Sequence, residues 1–96
     1  MPKLKDDTIR RKYYSIGQLA KYINARESQI RFWEEELGIK PIRAVNKRFK
    51  NRIYKDDQVE GYKKLRDLIY TNYYTLFGIK KLFLKEITKE HGIKLL

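Results

Sequence analysis

The first part of the chain has the apolar spacing of a short amphipathic helix. Apolar residues recur three or four positions apart, as Ile16, Leu19, Ala20 and Ile23, which places them on one side of a helix. Ser15 comes just before them, and Gln18 follows Ser15 by three positions. This pair is the pattern of a capping box at a helix N-terminus. Asn24 tolerates a left-handed backbone, so we predict that the helix ends there.

A second amphipathic stretch follows almost directly. Its apolar side is formed by Ile30, Trp33 and Leu37, again at helical spacing. Gly38 is the type of residue that ends a helix. Only Asn24-Ala25-Arg26 separates the two predicted helices, and a connection of this length is typical of a helix-turn-helix.

After Pro41 the spacing of apolar residues changes from helical to alternating. Alternation over a few residues is typical of a strand with one buried face. We predict two short strands, over about 41–45 and 51–54, with a polar turn near Asn46-Lys47-Arg48. Together they form a β-hairpin, or wing.

The remainder of the chain returns to helical spacing. Asp56 and Asp57 suit the first turn of a third helix, which we expect to run to about Tyr70. Residues 71–74 are predicted to form a loop, and Thr75 is a suitable N-cap for the next helix. That fourth helix is expected to carry Leu76, Ile79, Leu82, Phe83 and Ile87 and to end at His91-Gly92.

The positive charge of the chain is concentrated in the predicted hairpin. The 96 residues include 23 Lys and Arg against 12 Asp and Glu, a formal net charge of +11. Residues 40–55 hold seven of these cations and no acid, interleaved with Ile42, Val45, Phe49, Ile53 and Tyr54. Such interleaving favours a folded surface for a polyanion over a solvated loop.

Catalytic and metal chemistry find little support in the sequence. The chain has no cysteine, and its single histidine, His91, lies next to a helix-ending glycine. No glycine-rich phosphate loop or metal-ligand cluster is present in the sequence, so we expect no enzyme activity, no cofactor and no metal. Apolar runs fall far short of the roughly 20 residues that cross a bilayer. The charged N-terminus lacks the apolar segment of a secretory signal, and a cytoplasmic protein without a membrane partner is expected.

Several of these features occur together in one known family. They are the capped first helix, Ile30-Arg31-Phe32-Trp33-Glu34, Gly38, Lys40-Pro41, Arg43, Arg52-Ile53-Tyr54 and the acidic start of the third helix. The segment Tyr74-Thr75-Leu76-Phe77-Gly78-Ile79-Lys80-Lys81 adds to them. In this order, over about residues 13–86, the chain resembles the DNA-binding domain of MerR-type transcriptional regulators.

The resemblance implies a mainly α fold, a winged helix-turn-helix with a small β-hairpin wing and two further C-terminal helices. We expect residues 13–90 to form this domain, after a basic, flexible tail over 1–12 and before a short tail over 91–96. The second helix would enter the major groove of double-stranded DNA, and the wing would lie on the flanking backbone or minor groove. A regulator of this type would act in the cytoplasm, associated with the nucleoid, and RNA polymerase at a promoter is a further candidate partner.

The resemblance also implies a set of DNA-contacting residues. Base edges are expected to be contacted from the start of the second helix, where Gln suits adenine and Arg suits guanine, by Arg26, Ser28 and Gln29. Arg31 and Phe32 would contact phosphate and groove wall, whereas Trp33 is assigned to the core. The wing would contribute Lys40, Arg43, Lys47, Arg48, Lys50, Asn51, Arg52 and Tyr54. Ser15 and the N-terminus of the first helix could hold another phosphate.

The chain departs from the family pattern at three positions. Asn24 replaces a small residue between the first two helices, Arg26 replaces the usual Ser or Thr cap, and Lys50 replaces a frequent wing glycine. Full regulators of this type continue into a long dimerising helix and an effector module beyond the region of resemblance. Both a homodimer and a monomer therefore stay open from the sequence.

Two alternative functions also stay open. One is an accessory factor that bends DNA, as phage excisionases and partition factors do. The other is a protein-interaction module that keeps the fold and binds an acidic partner. The seven cations of residues 40–55 favour DNA over the interaction module, and RNA is less favoured because no exposed aromatic pair on a sheet is predicted.

Overall fold

The computed structural model describes residues 13–43 and 52–96. Within these ranges the chain alternates short strands with five helices around one hydrophobic core. In chain order the elements are β1 (Tyr13–Ser15), α1 (Ile16–Ile23), α2 (Glu27–Leu37), β2 (Ile39–Lys40), β3 (Ile42–Arg43), β4 (Arg52–Lys55), α3 (Asp56–Tyr70), α4 (Leu76–Leu82), α5 (Leu84–Glu90) and β5 (Lys94–Leu95).

Local signals place both helices of the helix-turn-helix as predicted. At the start of α1 the Gln18 N–H donates to Ser15 Oγ at 3.1 Å, and the Ser15 N–H donates to Gln18 Oε1 at 2.9 Å. Asn24 ends α1 with a left-handed φ of 58°, and Gly38 ends α2 with a φ of 70°. Both backbone conformations are open to these residue types at little cost, which explains the abrupt helix ends.

The predicted hairpin pairing is confirmed for the residues that the structure describes. Strands β3 and β4 are antiparallel, with Ile42 opposite Ile53 and Arg43 opposite Arg52. The predicted turn near Asn46-Lys47-Arg48 lies outside the described residues. Strand β1 also pairs with β4, on its other edge, a strand that was not predicted from the sequence. The wing strand β4 is therefore the central strand of a three-stranded sheet.

The C-terminal segment differs from the expected tail over 91–96. Strand β5 pairs antiparallel with β2, with Ile39 opposite Leu95. The Leu96 N–H donates to the Gly38 carbonyl at 2.8 Å, and Ile93 is buried. Backbone pairing and burial thus join this segment to the connection between α2 and the wing.

Helix α3 has the predicted bounds, but the predicted fourth helix is two helices. Thr75 caps α4 as expected, since its Oγ1 accepts from the Gly78 N–H at 3.0 Å. The chain then leaves helical geometry at Phe83, with φ −125° and ψ −24°. Ile79 and Leu84, both buried, would point about 140° apart on one straight helix. The break at Phe83 lets both face the core, whereas Leu82, one of the apolar residues of the predicted fourth helix, is 65% exposed.

The core joins the helix-turn-helix to the elements that follow it. Trp33 on α2 is 3% exposed and meets the Tyr70 ring of α3 edge to face, with ring centroids 6.0 Å apart. The other buried apolar residues include Leu19, Ile30, Leu65, Ile79 and Ile87. The assignment of Trp33 to the core is confirmed. No helix within residues 13–43 and 52–96 is long and apolar enough to cross a membrane.

Candidate nucleic-acid interface

One side of α2 is exposed along its whole length. Ser28, Arg31, Phe32 and Glu35 are exposed, and their three- and four-residue spacing places them on the same side of the helix. The opposite side carries Ile30, Trp33 and Leu37, all in the core. Phe32, which follows Arg31, is 54% exposed although it is a large apolar residue. We call Ser28, Arg31, Phe32 and Glu35 the outer face of α2.

The N-terminus of α2 is capped from within the helix. Arg26 occupies the N-cap position, and its guanidinium cannot accept a hydrogen bond from the N–H groups of the first turn. Gln29 supplies the other half of a capping box, because its Oε1 accepts from the Arg26 N–H at 3.0 Å. Two-point contact of Gln29 with adenine would use this same oxygen, so the side chain has two competing tasks. Arg26 itself is exposed.

The predicted wing contacts divide into three groups. Lys40 and Arg43 are exposed next to the end of α2, and Arg52 is half-buried. Lys47, Arg48, Lys50 and Asn51 lie outside the described residues. Tyr54 needs a correction, because it is 1% exposed and presents no surface to a DNA groove. Ser15 is exposed, and its hydroxyl serves as the cap of α1.

Tyr54 and Arg52 both contact a buried carboxylate. Glu34 on α2 is 2% exposed, and its Oε2 accepts from the Tyr54 hydroxyl at 2.9 Å and from the Tyr62 hydroxyl at 2.7 Å. Arg52 Nε lies 2.9 Å from Glu34 Oε1. Within residues 13–43 and 52–96, neither of these last two atoms is in a well-directed hydrogen bond, so we treat the contact as an ion pair. We call Glu34, Arg52, Tyr54 and Tyr62 the Glu34 cluster.

This cluster was not predicted from the sequence, where Arg52 and Tyr54 were assigned to DNA. Of the three consecutive glutamates of α2, Glu34 pairs with Arg52, while Glu35 and Glu36 are exposed. The one signal that could have separated Glu34 from its neighbours is helical phase, because Glu34 follows Ile30 by four positions and precedes Leu37 by three.

The cluster keeps both tyrosines protonated. Burial raises the pKa of Tyr54 and of Tyr62 above the usual 10.0, and the negative charge of Glu34 and the hydrogen bonds to it raise each pKa further. Arg52 acts in the opposite direction on both, and Arg31 does so on Tyr54. Both hydroxyls therefore remain hydrogen-bond donors to Glu34 throughout the physiological range.

We expect alkaline pH to destabilise the fold through these two tyrosines. A raised pKa in the folded state means that their stabilisation is complete below pH 10, where the unfolded chain also keeps them protonated, and is lost progressively above it. The free energy of unfolding in denaturant titrations should stay constant up to about pH 9 and fall as the pH rises above about pH 10. Tyrosinate absorbance should show Tyr54 and Tyr62 ionising only as the fold opens. Ionisation of all eight tyrosines in a fully native protein would contradict this.

A comparison with protein-family models identifies the family to which this domain belongs. The model described as MerR HTH family regulatory protein matches residues 14–86. The chain belongs to the MerR family. Searches of curated proteins and of solved structures returned no match.

The MerR match covers the whole candidate interface. It includes the helix-turn-helix, the wing strands and the Glu34 cluster. MerR regulators bind DNA through a helix-turn-helix and are in general not enzymes, and at this family level the chain is a DNA-binding regulator. The described residues, for their part, bring no three acidic or histidine side chains together as a metal site.

Proposed function

We propose that this MerR-family chain is a transcriptional regulator that binds double-stranded DNA in a sequence-specific manner. Helix α2 would lie in the major groove, and the wing would contact the flanking backbone or minor groove. The observation that carries the proposal is the outer face of α2. Besides the carboxylate of Glu35 towards its C-terminal end, this face combines a hydroxyl, a guanidinium and an exposed aromatic ring, on a helix whose opposite side is anchored in the core.

The chemistry of the outer face fits a DNA groove. Among the described residues, the ion pair of Arg31 is a long, exposed contact with Glu27, 3.6 Å between Nη2 and Oε1, and such a pair holds its partners weakly. Its guanidinium is therefore available to a phosphate or a guanine. Phe32 can contact a thymine methyl group, and Ser28 can contact either a base or a phosphate.

The charge around this face fits a polyanion. Lys40 and Arg43 are exposed just beyond the C-terminus of α2, on β2 and β3. They belong to the segment 40–55, which holds seven cations and no acid. Phosphate contacts supply most of the affinity of such an interface, and base contacts supply its specificity. We therefore assign the cations to affinity and the start of α2 to specificity.

Gln29 allows a direct test of the base-contact assignment. Gln29→Glu keeps an oxygen that can accept from the Arg26 N–H, so the cap of α2 is preserved, but it removes the amide donor that adenine requires. A carboxylate instead accepts from the amino group of cytosine. We expect duplexes selected from a random pool to change their preferred base pair at one position, with discrimination shifted by about 1 to 3 kcal/mol.

The matched control is Gln18→Glu, at the equivalent capping position of α1. It introduces the same charge at the same helical position without touching the start of α2, and it should leave the selected sequence unchanged. If Gln29→Glu selects the same sequence as the unaltered protein, Gln29 does not contact a base. If the unaltered protein selects no sequence at all, the proposed function is wrong.

A further inference from the structure

The Glu34 cluster joins three elements of the fold through one carboxylate. Glu34 lies on α2, Arg52 and Tyr54 lie on the wing strand β4, and Tyr62 lies on α3. The three contacts to the carboxylate measure 2.7 to 2.9 Å. The rings of Tyr54 and Tyr62 also meet edge to face, with centroids 5.2 Å apart, so the cluster is packed as well as hydrogen-bonded.

This cluster joins two elements that share little backbone contact. Among the described residues, the backbone of α2 lies closest to α1, α4 and β2, whereas the main neighbours of β4 are β1, β3, α1 and α3. Any backbone contact between α2 and the wing strand is therefore small. The long side chains of Arg52 and Tyr54 reach from β4 to Glu34 and make a polar connection between the two elements.

Stability alone is a poor explanation for a buried acid at this point. Removing a carboxylate from water costs free energy that an ion pair repays only with good geometry, and apolar residues of similar size often stabilise a core equally well. A carboxylate with fixed partners restricts the direction between groups as well as their distance, through its hydrogen bonds and its charge. An apolar contact does not restrict direction in this way. Such a connection fixes the orientation of the elements that it joins.

We infer that Glu34 is a positioning residue for DNA recognition, which sets the orientation of α2 relative to the wing without touching DNA. The inference rests on the proposed function. Specific binding requires the base-contacting side chains of α2 and the phosphate-contacting wing to fit one duplex at the same time. Non-specific binding depends on phosphate contacts that tolerate small changes of geometry. Glu34 therefore acts mainly on the ratio between the two affinities.

The experiment measures this ratio for Glu34→Gln. The amide oxygen still accepts from the tyrosines, but the charge that holds Arg52 is lost. Glu36→Gln is the matched control, since it makes the same change at an exposed position of the same helix. Each variant of the full chain is titrated with a duplex selected by the unaltered protein and with a scrambled duplex of equal length. Partial unfolding lowers both affinities alike and cancels in the ratio.

We expect Glu34→Gln to lower the ratio about tenfold, with non-specific affinity retained or raised because Arg52 is released, and Glu36→Gln to leave it unchanged. If Glu34→Gln does not fold, Tyr54→Phe replaces it, since it removes one hydroxyl from the carboxylate without changing any charge. We expect Tyr54→Phe to lower the ratio about threefold.

The positioning role is overturned if a folded Glu34→Gln protein keeps the ratio of selected to scrambled affinity unchanged. The same result in Tyr54→Phe overturns it when Glu34→Gln does not fold. Either result leaves the proposed function intact. A fall of equal size in Glu36→Gln also overturns the positioning role, because the effect would then follow from charge alone. If the unaltered protein does not distinguish the two duplexes, the proposed function fails and this inference fails with it.

Discussion

Replacing Trp33 with alanine should lower the free energy of unfolding by about 3 to 5 kcal/mol. The indole is 3% exposed and packs against the Tyr70 ring, so its removal leaves a large cavity between α2 and α3. Small domains are stable by only about 5 to 15 kcal/mol, and much of that margin would be lost. Denaturant unfolding measures the change directly, and DNA binding should fall only as far as the folded fraction falls.

The neighbouring aromatic residue provides the matched control. Phe32 is 54% exposed, and Phe32→Ala should change the free energy of unfolding by less than about 0.5 kcal/mol. It should nevertheless weaken binding to the selected duplex, because the ring lies on the outer face of α2. If the two variants exchanged these effects, the assignment of one aromatic to the core and the other to the interface would be wrong.

The second large effect is the salt dependence of DNA binding. If about six to eight cations meet phosphates, log K should fall against log salt concentration with a slope of roughly −5 to −7. Affinity would then drop about 10³- to 10⁴-fold between about 50 mM and about 200 mM salt. Fluorescence anisotropy of a labelled duplex over a salt series gives the slope. A slope near zero would show that phosphate contacts do not drive the association.

A single-residue comparison assigns part of this slope. Arg31→Gln should weaken binding to every duplex and make the slope less steep by about 0.9, the contribution of one phosphate contact. Lys85→Gln, which removes an exposed cation from α5, is the control and should leave the slope unchanged. Equal changes in both variants would indicate general attraction rather than a defined contact at Arg31.

Local signals in the sequence were sufficient for much of the fold. Ser15 with Gln18, Asn24, Gly38 and Thr75 each act within a few residues of their own position. A cap or a left-handed turn depends on the chemistry of the residue itself. For this reason the starts and ends of the first helices follow from the sequence alone.

Long-range pairing could not be predicted in the same way. The pairing of β1 with β4 and of β2 with β5 involves strands of two to four residues, which are too short for a clear alternating pattern. The break at Phe83 depends on which side of each helix meets the core, and a continuous apolar pattern does not contain that information. Tertiary packing decides these features.

The site shows the same division between local and long-range information. The exposure of Arg31 and the burial of Trp33 follow from helical phase within α2. The roles of Arg52 and Tyr54 do not, because they depend on Glu34, which lies 18 and 20 positions earlier in the chain. A cation and an aromatic hydroxyl in a basic segment favour DNA contact by their type, and only the fold shows that they meet a buried carboxylate.

The most direct test of the central claim is a comparison of two duplexes at one salt concentration. A duplex selected by the full chain from a random pool and a scrambled duplex of equal length and composition are titrated side by side. We predict that the selected duplex binds at least about 10³-fold more tightly, the lower end of the range for specific DNA-binding proteins. Equal affinity for the two duplexes, or no binding to either, would contradict sequence-specific recognition by α2 and the wing.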